Sequence, residues 1–140
     1  MAQFHLIDTG PLVNSINRRD QWHEWALHEL SLIPPPFLTC EAVISEAHFL
    51  LGQVHGGRDA LMGMLADQLI QIPWQLGQEL SPVRELLQKY QSVPLSLADA
   101  CLVRMAEQYA ESTIFTIDSD FRIYRMNRNQ AIPVIIPEGM

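Results

Sequence analysis

Thr113-Ile114-Phe115-Thr116-Ile117-Asp118-Ser119 is a run of β-branched and apolar residues ending in an acid followed by a hydroxyl. Near the other end of the chain, Leu6-Ile7-Asp8-Thr9 repeats the pattern in short form. Each reads as a buried strand with an aspartate where it runs out. In an open parallel sheet, ligands gather outside the carboxyl ends of the strands. Two such strands therefore bring two carboxylates to one crevice. Taken singly, Asp8 and Asp118 read equally well as turn residues or helix N-caps; the repetition favours the crevice.

The intervening chain alternates. Asp8-Thr9-Gly10-Pro11 reads as a turn, followed by helices over 12–16 and 20–32 that Pro34-Pro35-Pro36 must stop. Phe37-Leu38-Thr39 is a minimal strand, and 41–51 and 58–69 have the helical period. A strand over 70–76 is interrupted by Pro73, which points to a sheet edge. Ser81-Pro82 predicts a helix with serine as cap and proline in its first turn. Ser96 predicts another running to about residue 110, and Val134-Ile135-Ile136 a last strand. Strands alternating with helices predict an α/β fold: a central, mainly parallel sheet with helices on both faces. No repeat or linker divides the chain, so residues 1–140 read as a single domain.

With 140 residues, 48% of them hydrophobic and 18% charged, the chain can bury a core and is no disordered tail. No apolar run approaches the roughly 18 residues of a membrane span. The opening stretch lacks a basic leader. The expectation is a cytoplasmic protein with no membrane contact. Sixteen acids against nine bases give a net charge of −7, which argues against a general nucleic-acid coat protein. It does not argue against an enzyme that holds a phosphodiester through metal ions, because bound cations invert such a field locally. Arg122, Arg125 and Arg128 lie close together after Asp118. They read either as phosphate contacts or as a solvated helix face paired with Asp118, Asp120 or Glu138.

Two further acids stand out. Glu46 sits in Ala42-Val43-Ile44-Ser45-Glu46-Ala47-His48-Phe49, where burial would be costly without a partner or a metal, and where a solvated helix stripe is the plainer reading. Asp99 follows Ser96 at capping-box spacing; alternatively, it points from a helix N-terminus into the crevice. Four gathered carboxylates would repel and raise one another's pKa. A hard divalent cation, Mg²⁺ or Mn²⁺, relieves that, since such ions take oxygen ligands. Such a site could polarise a phosphodiester and activate water. Other chemistries find little support. His23 and His28 are one residue too far apart for the helical zinc-protease motif, and Cys40 and Cys101, with no close cysteine in the sequence, read as buried thiols. Neither GxGxxG nor GxxxxGK occurs.

In order, Leu6-Ile7-Asp8-Thr9, Thr39-Cys40-Glu41-Ala42-Val43-Ile44-Ser45-Glu46, Ser96-Leu97-Ala98-Asp99-Ala100 and Phe115-Thr116-Ile117-Asp118-Ser119-Asp120-Phe121 resemble the motifs of the PIN domain, over nearly the whole chain. Asp20-Gln21-Trp22-His23-Glu24-Trp25-Ala26 is similar to the segment after its first helix. The resemblance implies a PIN-like three-layer fold with a roughly five-stranded sheet and a Mg²⁺- or Mn²⁺-dependent ribonuclease site. It carries Asp8, Glu46, Asp99 and Asp118 over as metal-site carboxylates. Thr116 takes a supporting role, orienting Asp118 or water, and Asp120 is an extra acid with a solvated turn position as its plainer reading. Similarity to VapC-like toxins implies RNA as substrate, a homodimer and a small inhibitory antitoxin. Two other readings stand beside it: a PIN-like binding scaffold without activity, and an Asp-based phosphoreceiver or phosphohydrolase. The latter lacks the acid pair beside the first strand, and the single lysine, Lys89, falls on a helix.

Overall fold

A computed structural model describes residues 3–140; Met1 and Ala2, on which the reading of the opening stretch partly depends, lie outside the described residues. The elements are β1 (Phe4–Ile7), α1 (Thr9–Ile16), α2 (His23–Leu32), β2 (Phe37–Leu38), α3 (Glu41–Leu50), α4 (Gly57–Ala66), β3 (Ile70–Gln71), α5 (Leu80–Lys89), α6 (Leu97–Gln108), β4 (Ser112–Phe115), β5 (Arg125–Met126), β6 (Gln130–Ala131) and β7 (Val134–Ile135). Five strands form one parallel sheet in the order β3-β2-β1-β4-β7, and β5 pairs with β6 as a separate antiparallel hairpin.

Successive residues of a strand face opposite sides of the sheet. Leu6 and Ile7 in β1 and Ile114 and Phe115 in β4 are all fully buried, so both faces are covered. Each such side chain contributes roughly 1.5–3 kcal/mol of burial. Trp25 of α2 packs edge-on against Phe115 at 5.1 Å between ring centroids, which places this tryptophan in the core. α6 packs along β1 and β4, while α1 gathers α2, α3 and α4 around it. Pro73 follows β3, which is an edge strand of only two residues, consistent with the lost donor.

The two strands with matching ends are neighbours at the centre. β1 pairs with β4 in the register Phe4↔Ser112 to Ile7↔Phe115. The Asp8 amide donates to the Phe115 carbonyl at 3.0 Å, so the pairing continues to the point where the acids begin.

Several boundaries differ from expectation. Thr9-Gly10-Pro11 is not a turn; it is the first turn of α1, with Asp8 as N-cap. Proline is tolerated there because the first amides of a helix have no intrahelical acceptor. A methyl group on Gly10 would collide with the Ile117 side chain, so glycine lets the start of α1 press against the end of β4. α5 likewise starts at Leu80, before Ser81-Pro82, with Glu79 at the cap position. Glu79 offers no cap bond because Arg104 holds its carboxylate at 2.8 Å. Asp20 lies ahead of α2 and accepts the Trp22 amide at 2.8 Å, a local turn that competes with helix.

Candidate active site

Asp8 leaves β1 and caps α1. Its Oδ1 accepts the Thr9 amide at 2.7 Å and its Oδ2 accepts the Thr116 hydroxyl at 2.7 Å. Thr116 Oγ1 in turn accepts the Asp118 amide at 2.9 Å. The threonine thus holds the Asp8 carboxylate and the Asp118 backbone, not the Asp118 carboxylate. Asp118 Oδ1 accepts the Asp120 amide at 2.9 Å and opens a short 3₁₀ turn, Ser119–Arg122. Asp120 reaches the cluster through its backbone; its side chain is half-buried.

Asp99 comes from the first turn of α6. Both bonds of the capping box are present: the Asp99 amide donates to Ser96 Oγ at 3.0 Å, and the Ser96 amide to Asp99 Oδ2 at 3.2 Å. The capping box does not turn the carboxylate away from the other acids. Burial and then, more weakly, the charges of Asp99 and Asp118 raise Asp8 from an ordinary carboxyl value of 3.8 to about 7. Burial first, with Asp118 and Glu46 adding, raises Asp99 to about 6. Glu46, on α3, is exposed, so it faces the cluster from solvent and not from an apolar pocket.

Among the described residues no lysine, arginine or histidine pairs with Asp8, Asp99 or Asp118. The Thr9 hydroxyl, beside Asp8, is buried without a partner. Hard oxygen donors, raised pKa values and no compensating base suit a divalent cation in chemical kind. Among the described residues no three His, Cys, Asp or Glu side chains are grouped to hold an ion.

No family model matches the sequence, and no curated protein matches it. Among solved structures, the chain is similar to Mycobacterium tuberculosis VapC20, described as a sarcin-ricin loop cleaving toxin, with a TM-score of 0.75 at 18% identity over 83% of this chain and 91% of that one. This is a VapC-like PIN fold. In a PIN-like sheet of this order, the central pair β1 and β4 delivers Asp8 and Asp118, and the helix feeding β4 delivers Asp99.

Tyr124 is a neighbour of the site that sequence reasoning passed over. It is fully buried, with its hydroxyl 3.1 Å from the Pro94 carbonyl and 3.5 Å from Asp99 Oδ2. Burial and the charges of Asp99, Asp118 and Asp120 hold its phenol well above the usual range. The only signal was an aromatic soon after Asp118. Thr9 did carry one, as the hydroxyl that follows the acid.

The arginines do not share a helix face. Arg122 ends the 3₁₀ turn, Arg125 lies in β5 and Arg128 in the turn of the hairpin. Among the described residues none is ion-paired with Asp118, Asp120 or Glu138. Arg125 and Arg128 line a cleft of about 360 Å³ with Lys89 and Arg104, and Arg122 is outside it. A cavity of about 720 Å³ beside the end of α1 has Arg18, Arg19 and His55 in its lining and none of the four carboxylates.

Proposed function

We propose that this protein is an endoribonuclease that hydrolyses RNA phosphodiester bonds at a site of Asp8, Glu46, Asp99 and Asp118 loaded with Mg²⁺ or Mn²⁺. The observation that carries the reading is Asp8, which is buried near two other acids with no base among the described residues to neutralise it. When bound, such a cation offsets the cluster's charge, polarises the scissile phosphate and lowers the pKa of an attacking water. The chain's own residues do the positioning. Thr116 fixes Asp8 Oδ2, the Thr9 amide fixes Oδ1, and the Asp120 amide fixes Asp118 Oδ1. Tyr124, fully buried, packs beside Asp99 with its hydroxyl 3.5 Å from Oδ2. Arg122, exposed at the end of the 3₁₀ turn after Asp118, and Arg125 and Arg128 of the hairpin are the proposed phosphate contacts for the flanking strand.

The likeness to a toxin described as cleaving the sarcin-ricin loop supports single-stranded or looped RNA as the substrate class. The proposal extends, through the resemblance of the sequence motifs, to a cytoplasmic toxin of a toxin–antitoxin pair, a homodimer restrained by an antitoxin. The test is cleavage of a labelled RNA stem–loop by purified protein with Mg²⁺ or Mn²⁺ against EDTA, with Asp8→Asn purified in parallel. Cleavage that survives EDTA, or that the variant retains, defeats the proposal. One observation favours a second reading, a PIN-like scaffold without activity. Among the described residues no three His, Cys, Asp or Glu side chains are grouped to hold an ion, and no Mn²⁺-dependent rise in melting temperature would be seen on that reading.

A further inference from the structure

Cys40 and Cys101 are far apart in the sequence, but α3 packs against α6 and the fold brings both side chains to one place between them. Both are buried, and both line one cavity of about 220 Å³ with Glu41, Ala42, Trp74 and Leu76. Cys40 is the residue from which α3 starts, and Cys101 lies in α6 one half-turn beyond Asp99. The pair therefore joins the helix that carries Glu46 to the helix that carries Asp99. Neither thiol has a part in the site described above. We propose that Cys40 and Cys101 are an oxidation-sensitive dithiol whose intramolecular disulfide staples α3 to α6 beside the carboxylate cluster.

A peroxide is the oxidant class the cavity suits, because it is small and need not bring a bulky thiol partner inside. The Cys40 sulfur, giving up its proton, attacks one oxygen of hydrogen peroxide. The O–O bond breaks, and a sulfenic acid and one water result. The Cys101 sulfur then displaces the sulfenic oxygen, which leaves with both remaining protons as a second water while the S–S bond forms. Each sulfur loses one electron and each peroxide oxygen gains one. Their place in one small cavity favours this closure over further oxidation of Cys40, and burial disfavours bonds to other chains.

The experiment uses the whole wild-type protein, treated with hydrogen peroxide, unfolded in denaturant with an alkylating agent and weighed intact. The expected species is a monomer lighter by the thiol hydrogens, with neither sulfur alkylated, and restored to double alkylation by dithiothreitol. Its melting temperature should rise on oxidation and fall back on reduction. Cys101→Ala and Cys40→Ala should each abolish the closed species. Two free thiols after treatment, a sulfinic acid on one cysteine, or disulfide-linked dimers would each overturn the proposal. A further arm rests on the ribonuclease reading: oxidation should slow RNA cleavage at least several-fold, reversibly. If reduced protein cleaves no RNA, that reading fails while the disulfide stands or falls on its mass.

Discussion

Asp8 holds its proton to about 7 in the fold, against 3.8 for an ordinary carboxyl, and the sign of the consequence follows. Below 3.8 both folded and unfolded chains are protonated and nothing changes. Between the two values the folded chain holds more protons, so stability falls as pH rises, and the loss is complete above 7. At 1.36 kcal/mol per unit it is on the order of 4 kcal/mol. Asp8→Asn removes that term. The amide oxygen still accepts from Thr9, but the Thr116 hydroxyl loses its acceptor, at about 1 kcal/mol. The metal-free variant is therefore expected to be weaker than wild type near pH 4 and stronger near pH 8. Urea unfolding at both pH values measures it, and parallel behaviour would show that Asp8 is an ordinary exposed acid. The acids themselves were legible, since a strand that ends in Asp and a hydroxyl is visible in the letters. Tyr124 was not, because its distance from Asp99 depends on how the 3₁₀ turn folds back.

At the scale of elements, the start of α6 separates a structural duty from a chemical one. Ser96→Ala removes the cap bond to the Asp99 amide and should cost about 0.5–2 kcal/mol, with the melting response to Mn²⁺ intact. Asp99→Asn keeps one amide oxygen for the Ser96 amide and should cost less, but it should remove most of the Mn²⁺ response. If the serine variant loses the response and the asparagine variant keeps it, Asp99 is only a cap. The hairpin gives another prediction. Arg128 has a left-handed backbone, φ 78°, which glycine adopts without strain. Arg128→Gly should hold or gain about 0.5–1 kcal/mol of stability. If the side chain meets phosphate, RNA affinity should fall and its salt dependence flatten, as read by anisotropy on the Asp8→Asn background. Ser96 could be placed at a helix start from sequence because serine three residues before an acid has a local cause. Ser81-Pro82 misled for the opposite reason. Proline fits any position of a first turn, and the fate of Glu79 was decided by Arg104, which lies on another helix.

For the whole molecule, the parallel sheet with both faces covered followed from alternation and from strands apolar throughout. What pattern could not supply was adjacency. The shared cavity of Cys40 and Cys101 and the exposure of Glu46 come from how helices settle against the sheet. Metal binding and pH are linked at this scale. Asp8 and Asp99 must lose protons before they can bind a cation, and both hold them unusually tightly. The rise in melting temperature on adding Mn²⁺ should therefore be small at pH 5 and grow towards pH 8. A response that does not vary with pH would place the ion elsewhere.

The pairing of β1 with β4 also acts in time. A chain made only as far as residue 100 carries Asp8, Glu46 and Asp99, but nothing yet for β1 to pair with on its β4 side. Parallel pairing over so long a separation forms late, because the loop must close before its contacts form. The strand that brings Asp118 also brings Thr116, which fixes Asp8. A nascent or prematurely ended chain therefore carries most of the acids but no assembled cluster. On the ribonuclease reading, cleavage would therefore wait until β4 has been made, and the messenger being read would be shielded from its own unfinished product.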